Sequence, residues 1–199
     1  MTIGAVVLCG GKSSRMGTSK AMLPFGDETM LQRVVRLVSS VTPQIVVVAA
    51  ADQALPDLPD SVAIARDQAE AQGPLEGLRV GLSALPESCT GAFACSCDLP
   101  GLAPKAVEQM IAGLNDNLDI VVPKEGKFHH PLFAVYRCTV VPVIEALLAA
   151  ERRRPVFLFD ECRTKRIDVE ELRAADPELN SFENMNTPEA YEAALEKYL

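Results

Sequence analysis

The chain has only two histidines in 199 residues, at 129 and 130, and no apolar run of transmembrane length. The first scarcity argues against a structural metal held by imidazoles. The second argues against a spanning helix, which needs about 20 apolar residues. Positive charge is also scarce: 19 Lys and Arg face 27 Asp and Glu, for a net charge of −8. A negative surface repels nucleic acid and anionic lipid, so neither is an expected partner. Any anionic ligand must be held by a local basic cluster. The N-terminus enters an apolar run with no charged preface or cleavage site, so no leader is expected and a cytoplasmic location is. Repeats, low-complexity tracts and linkers are absent, so residues 1–199 are expected to form one domain with an ample core.

Six cysteines stand at 9, 89, 95, 97, 138 and 162. Cys95-Ser-Cys97 is too tight for a zinc knuckle and puts both thiols on one face of a predicted strand. They read as reduced, buried residues of a cytoplasmic protein.

What the chain does have is concentrated in residues 8–20, Leu-Cys-Gly-Gly-Lys-Ser-Ser-Arg-Met-Gly-Thr-Ser-Lys. The preceding run Ile3-Gly4-Ala5-Val6-Val7-Leu8 is apolar and uncharged, which predicts a buried strand. Gly10, Gly11 and Gly17 let the backbone bend and approach a ligand closely. Lys12, Arg15 and Lys20 place three cations within nine residues, with no acid among them and four hydroxyls beside them. Exposed amides, cations and hydroxyls suit a polyphosphate. Gly11-Lys12-Ser13 resembles the end of a Walker loop, but that loop's first glycine would fall at Val6, inside the strand. The glycine spacing fails the dinucleotide fingerprint as well.

Further along, the periodicity predicts a helix over 28–41 capped by Asp27 or Thr29, and strands over 44–51 and 62–66. Pro74 opens a helix over 75–86, and a fourth strand covers 91–97. Pro104 opens a helix to about 114. Strands over 118–123, 131–136 and 166–169, and helices over 139–151, 153–161 and beyond Pro188, complete the chain. This alternation predicts a Rossmann-like, three-layer α/β fold: a mainly parallel sheet with helices on both faces. Ligands of such sheets bind beyond the carboxyl ends of the strands. The glycine loop, Asp67, Gly73-Pro74 and Asp98 all fall there. Asp98, at the tip of a hydrophobic strand, is the favoured ligand for Mg2+, which takes one or two carboxylates plus phosphate oxygens. A helix cap is its bland alternative, as a solvated turn is for Asp67.

The motif Leu8-Cys9-Gly10-Gly11-(x)3-Arg15-Met16-Gly17-(x)2-Lys20 resembles the signature loop of sugar-nucleotide pyrophosphorylase-type nucleotidyltransferases. Within that group the chain is most similar to the molybdenum cofactor guanylyltransferases, the MobA family. Gly73-Pro74-Leu75-Glu76-Gly77, Cys97-Asp98-Leu99-Pro100, His130-Pro131 and Asn184-Met185-Asn186-Thr187-Pro188 carry the likeness from residue 3 to about 195. Cys9 stands where that family usually has Ala. Ala49 stands where it can have an asparagine that contacts the nucleotide.

The resemblance implies the nucleotide-diphospho-sugar transferase fold and transfer of GMP from GTP to molybdopterin, with or without its molybdenum, releasing pyrophosphate. It implies that Leu8, Cys9, Gly10, Gly11, Lys20, Asp67, Gly73, Pro74 and Asp98 bind the nucleotide. Arg15, Lys20 and Asp98 are the implied catalytic set, and Asp98 holds Mg2+, with Asn186 available to bind or orient it. His130, Arg153, Asn184 and Asn186 are the implied acceptor residues. Handover of the product to molybdoenzymes or their chaperones belongs to the same picture. The loop backbone at Leu8, Cys9 and Gly10 is the expected reader of the guanine edge. A cytidylyl or sugar-1-phosphate transferase on the same fold is the alternative within the class. A non-catalytic nucleotide-binding adapter is the alternative outside it.

Overall fold

The computed structural model describes residues 1–9, 19–67 and 73–199. Its first strand, Ile3–Leu8 (β1), is buried along nearly its whole length. The short strands Pro24–Phe25 (β2) and Glu28–Thr29 (β3) pair antiparallel and deliver the chain into helix Met30–Ser39 (α1). Thr29 is the cap: its side chain accepts from the Gln32 amide at 3.3 Å, while the Gln32 side chain accepts from the Thr29 amide at 2.8 Å. This reciprocal box satisfies two amides that the first helical turn leaves open. Strands Ile45–Ala50 (β4) and Val62–Asp67 (β5) follow, then helix Pro74–Ser83 (α2) and strand Gly91–Ser96 (β6). After helix Pro104–Ala112 (α3) come strands Ile120–Glu125 (β7), Phe128–His129 (β8) and Phe133–Arg137 (β9). Helices Val141–Ala149 (α4) and Val156–Glu161 (α5), strand Thr164–Asp168 (β10) and helix Pro188–Tyr198 (α6) close the chain.

Among the described residues the main sheet runs β10-β7-β9-β6-β1-β4-β5, with β8 added against β7. β1 lies at its heart, parallel to both β4 and β6, as its uninterrupted apolar run requires. β5 and β10 also pair parallel to their neighbours. Besides the two-residue β8, which pairs antiparallel with β7, β9 is the exception. It runs antiparallel between β6 and β7, a reversal that a run of apolar residues does not encode.

Alternation along the strands divides the core. Val7, Val47 and Cys95 face α1, α3 and α6, while Val6, Val48 and Ala94 face α2, α4 and α5. The result is the expected helix–sheet–helix sandwich. On α1, Met30, Leu31, Val34, Val35 and Val38 form the buried stripe, each contributing about 1.5–3 kcal/mol of apolar burial. On the other face α2 lies close to the strands at Gly81, where any Cβ would run into the Val6 side chain. Among the described residues no helix is long and apolar enough to cross a membrane.

Candidate active site

The carboxyl ends of β1, β4, β5 and β6 share one edge of the sheet. β6 stops at Ser96, and Asp98 lies two residues beyond, largely buried. Three contacts fix it. The Cys97 amide donates to the Leu8 carbonyl at 3.0 Å, the Met185 amide donates to the Asp98 carbonyl at 3.2 Å, and the Ser96 hydroxyl donates to Asp98 Oδ1. Asp98 is therefore not a helix cap. The cap of α3 is Ala103, whose amide is satisfied by the Ser181 hydroxyl at 2.9 Å.

Lys20 reaches this carboxylate from the far side of the glycine loop. Its ammonium lies 2.6 Å from Asp98 Oδ2 and 2.7 Å from Asn186 Oδ1. Three residues chosen separately from the sequence thus meet at one point, across as many as 166 positions of chain. Asn186 is free to do so because Thr187, not Asn186, caps α6, its hydroxyl accepting from the Ala190 amide at 3.2 Å. A cation held between a carboxylate and an amide oxygen marks a place where hard positive charge is stabilised. Both oxygens are ligands that Mg2+ accepts. Among the described residues no group of three or more His, Cys, Asp or Glu could cage a metal. The donor set therefore fits an ion that shares its sphere with substrate phosphates and water, which is the habit of Mg2+.

Leu8 and Cys9 are committed to the sheet. The Leu8 carbonyl accepts from Cys97, and the Cys9 amide donates to the Val48 carbonyl at 2.9 Å. The Cys9 thiol donates to that same carbonyl at 3.2 Å, and burial pushes its pKa up to about 12. These groups fix where the loop begins and are already engaged within the protein, a constraint on the expectation that they read the purine edge. Gly10, Gly11 and Arg15 lie outside the described residues. Asp67 ends β5 opposite Ala50. Ala49, at the position of the expected asparagine, is fully buried, so its methyl cannot meet a ligand. Gly73 takes φ +78°, a backbone that favours glycine, and Pro74 follows in the first turn of α2. The Arg153 carbonyl lies 3.8 Å from where a Gly73 Cβ would stand, so the arginine-rich segment passes this turn. The Arg153 side chain is half-exposed and stands 4.0 Å from Glu151.

The two histidines part to opposite faces. The His129 ring lies 5.3 Å from Phe159, and the His130 ring 4.6 Å from Phe182. Burial lowers both pKa values, with Glu125 opposing the shift at His130, so the surroundings of both imidazoles favour the neutral form. His130 Nε2 is buried without a hydrogen bond, and the Glu125 carboxylate at 3.8 Å is beyond bonding reach. That orphaned nitrogen lies beside Phe182, two residues before Asn184, which is exposed. His129 Nε2 is likewise buried without a partner among the described residues.

Sequence reasoning passed over two contributors. Ser96, the last residue of β6, reaches Asp98 across the turn that begins at Cys97, a contact that strand periodicity does not mark. Arg33, from α1, donates to the Pro100 carbonyl at 2.9 Å and pins the turn after Asp98. Nothing in the α1 pattern marks it.

The thiols give a direct check. Burial raises all six, Cys162 to about 11, and leaves only Cys138 and Cys162 partly accessible. Iodoacetamide at pH 8 should modify those two and spare Cys9, Cys89, Cys95 and Cys97 until denaturant is added. Mass mapping showing fast alkylation of Cys9 in the folded protein would contradict this packing.

A mixed, mostly parallel sheet flanked by helices, matched at full length by solved structures of nucleotidyltransferases, defines the nucleotide-diphospho-sugar transferase fold. The family model described as MobA-like NTP transferase domain matches residues 5–165, and the chain belongs to that family. It is 34% identical over 193 residues to the molybdenum cofactor guanylyltransferase of Desulfosudis oleivorans, covering 96% of this chain and 94% of the relative. It is 35% identical over 171 residues to the probable molybdenum cofactor guanylyltransferase of Mycobacterium ulcerans, covering 84% of each. The crystal structure of molybdopterin-guanine dinucleotide biosynthesis protein A from Archaeoglobus fulgidus superimposes with a TM-score of 0.79 at 22% identity, covering 98% of each chain. That last likeness is one of fold.

Proposed function

We propose that this chain, acting as one domain in the cytoplasm, transfers GMP from GTP to molybdopterin and releases pyrophosphate. The product is molybdopterin guanine dinucleotide. The observation that carries the reading is the meeting of Lys20, Asp98 and Asn186 at the strand ends, in a chain similar over most of its length to named molybdenum cofactor guanylyltransferases. Asp98 and Asn186 are the residues that would hold Mg2+. When bound, that ion supplies positive charge to the triphosphate and to the leaving pyrophosphate.

The chain's own residues do the positioning. β1 and its loop carry the triphosphate. Lys20 supplies a compact cation that can follow the developing charge from its present oxygens to phosphate. A phosphate oxygen of molybdopterin attacks the α-phosphorus of GTP, and the bond from that phosphorus to the β-phosphate oxygen breaks in line. Such a transfer needs alignment and charge neutralisation more than proton transfer, and no nucleophilic side chain is required. His130, Arg153 between α4 and α5, and Asn184 before α6 would receive the acceptor. Handover of the product to molybdoenzymes or their chaperones would follow at the same edge.

Calorimetric titration with GTP, CTP, UTP and ATP, each with Mg2+, tests the base. GTP should bind roughly a hundredfold tighter than the others, the value of two buried base contacts. CTP or UTP binding as tightly as GTP would move the chain to a cytidylyl or sugar-1-phosphate transferase and leave the phosphate site untouched.

A further inference from the structure

The turn after β4 carries a side chain whose two donated bonds both go to the residues that flank the nucleotide loop. Gln53 Nε2 donates to the Cys9 carbonyl at 2.9 Å and to the Ser19 hydroxyl at 3.0 Å. Gln53 Oε1 accepts from the Ala50 amide at 3.2 Å. Chemistry permits only this orientation, because a carbonyl cannot donate and a backbone amide cannot accept. Both donors and one acceptor site of the side-chain amide are thus in use. The turn itself is held from β5. Arg66 Nη1 donates to the Ala50 carbonyl at 3.0 Å and to the Gln53 carbonyl at 2.7 Å.

Cys9 and Ser19 are the described residues that flank 10–18 in sequence. Cys9 is anchored to β4, whereas the 3-10 turn at Lys20–Met22 begins just after Ser19. A single amide therefore ties the departure of the loop to its return, and Lys20 is the next residue after the tie. We propose that Gln53, locked by Arg66, is a positioning residue for nucleotide binding. It fixes Ser19, and through it the backbone of Lys20, against the end of β1, so that the Lys20 ammonium arrives within reach of Asp98 and of substrate phosphate. Gln53 need not touch the nucleotide. Its effect passes through Cys9 and Ser19, and this role rests on the nucleotidyl-transfer reading above.

Tying Cys9 to Ser19 before the ligand arrives has an energetic purpose: an arrangement of these residues already made in the free protein costs no further conformational entropy on binding. Removing the tie should thus appear in nucleotide affinity and barely in the stability of the rest of the fold, because Gln53 is only half-buried and belongs to no core cluster.

The test compares wild type with Gln53→Ala, Gln53→Met, Gln53→Glu and Arg66→Ala in the full chain. The probe is whichever of the four nucleoside triphosphates wild type binds most tightly with Mg2+. Its identity judges the guanylyl reading, and the variants judge Gln53 independently. Gln53→Met keeps the stem and removes the amide. It should raise the Kd and the KM for that nucleotide roughly tenfold, with kcat changed less than about threefold. Gln53→Glu keeps the shape, loses both donors and adds a negative charge, so it should cost more than Gln53→Met. The double variant Gln53→Ala with Arg66→Ala should lose little more than the worse single one, because both act through one tie. The melting temperature of the nucleotide-free protein should stay at its wild-type value. Wild-type nucleotide affinity in Gln53→Met and Gln53→Ala overturns the proposal. So does a fall in melting temperature with the affinity of the folded protein unchanged, or full additivity in the double variant.

Discussion

Asp98→Asn should give a folded protein that turns over on the order of a thousandfold more slowly. The substitution is isosteric, and the two backbone bonds at this position, from Met185 to the Asp98 carbonyl and from Cys97 to Leu8, do not depend on the carboxylate. What goes is the negative charge. Lys20 then loses its ion-pair partner at 2.6 Å, and the Ser96 hydroxyl loses an anionic acceptor. Among the described residues the side-chain oxygens left at that point belong to two neutral amides and the Ser96 hydroxyl, a poor offer to a divalent cation. Turnover with saturating GTP and acceptor gives the rate, and Mn2+ binding followed by electron paramagnetic resonance gives the cation affinity. Retention of more than about a tenth of the wild-type rate would remove Asp98 from the catalytic centre.

Lys20→Ala should cost on the order of a hundredfold in rate while barely changing the binding of guanosine, which carries no phosphate. The ammonium touches the Asp98 carboxylate, two residues past β6, and the Asn186 side-chain oxygen, two residues before α6, so its natural ligand is charge. Lys20→Arg should not restore the rate, because a planar fork cannot occupy the point between two oxygens that a compact ammonium fills. Full transfer rate with normal GTP affinity in Lys20→Ala would reduce this lysine to a surface residue.

Residue chemistry and strand ends were legible before any coordinates. The apolar run at 3–8, the cap at Thr29 and the helix-opening prolines 74 and 104 all stand where the pattern puts them. Asp98 and Lys20 were legible as reactive types because a carboxylate at a strand tip and a lysine in a glycine loop have few bland uses. Their contact was not, since 78 positions separate them and periodicity carries no information at that range. The direction of β9 was hidden for a related reason. Apolar content predicts that a segment is buried, but both a parallel and an antiparallel neighbour satisfy it. The two-residue strands β2, β3 and β8 are too short to show any period. β7 extends through Pro123 to Glu125, where the proline suggested a stop. The Pro123 carbonyl instead accepts from the His130 amide at 2.9 Å, within the β7–β8 hairpin. Gln53 was the least visible of all. In sequence it is one polar residue in a loop of prolines and aspartates, and its importance lies in partners 44 and 34 positions away.

The bond between Lys20 and Asn186 also says something about time. Its partners are separated by 166 positions, and closing so long a loop is entropically expensive until the intervening elements have shortened it. The parallel β1–β6 pairing is what brings the end of β1 and the Asp98 turn to the same edge. Asn186 then arrives on a segment tethered to that turn by the Met185 amide. A refolding chain should therefore regain its helices and its core before the contact between Lys20 and Asn186, and that contact should be among the first lost when the α6 end frays.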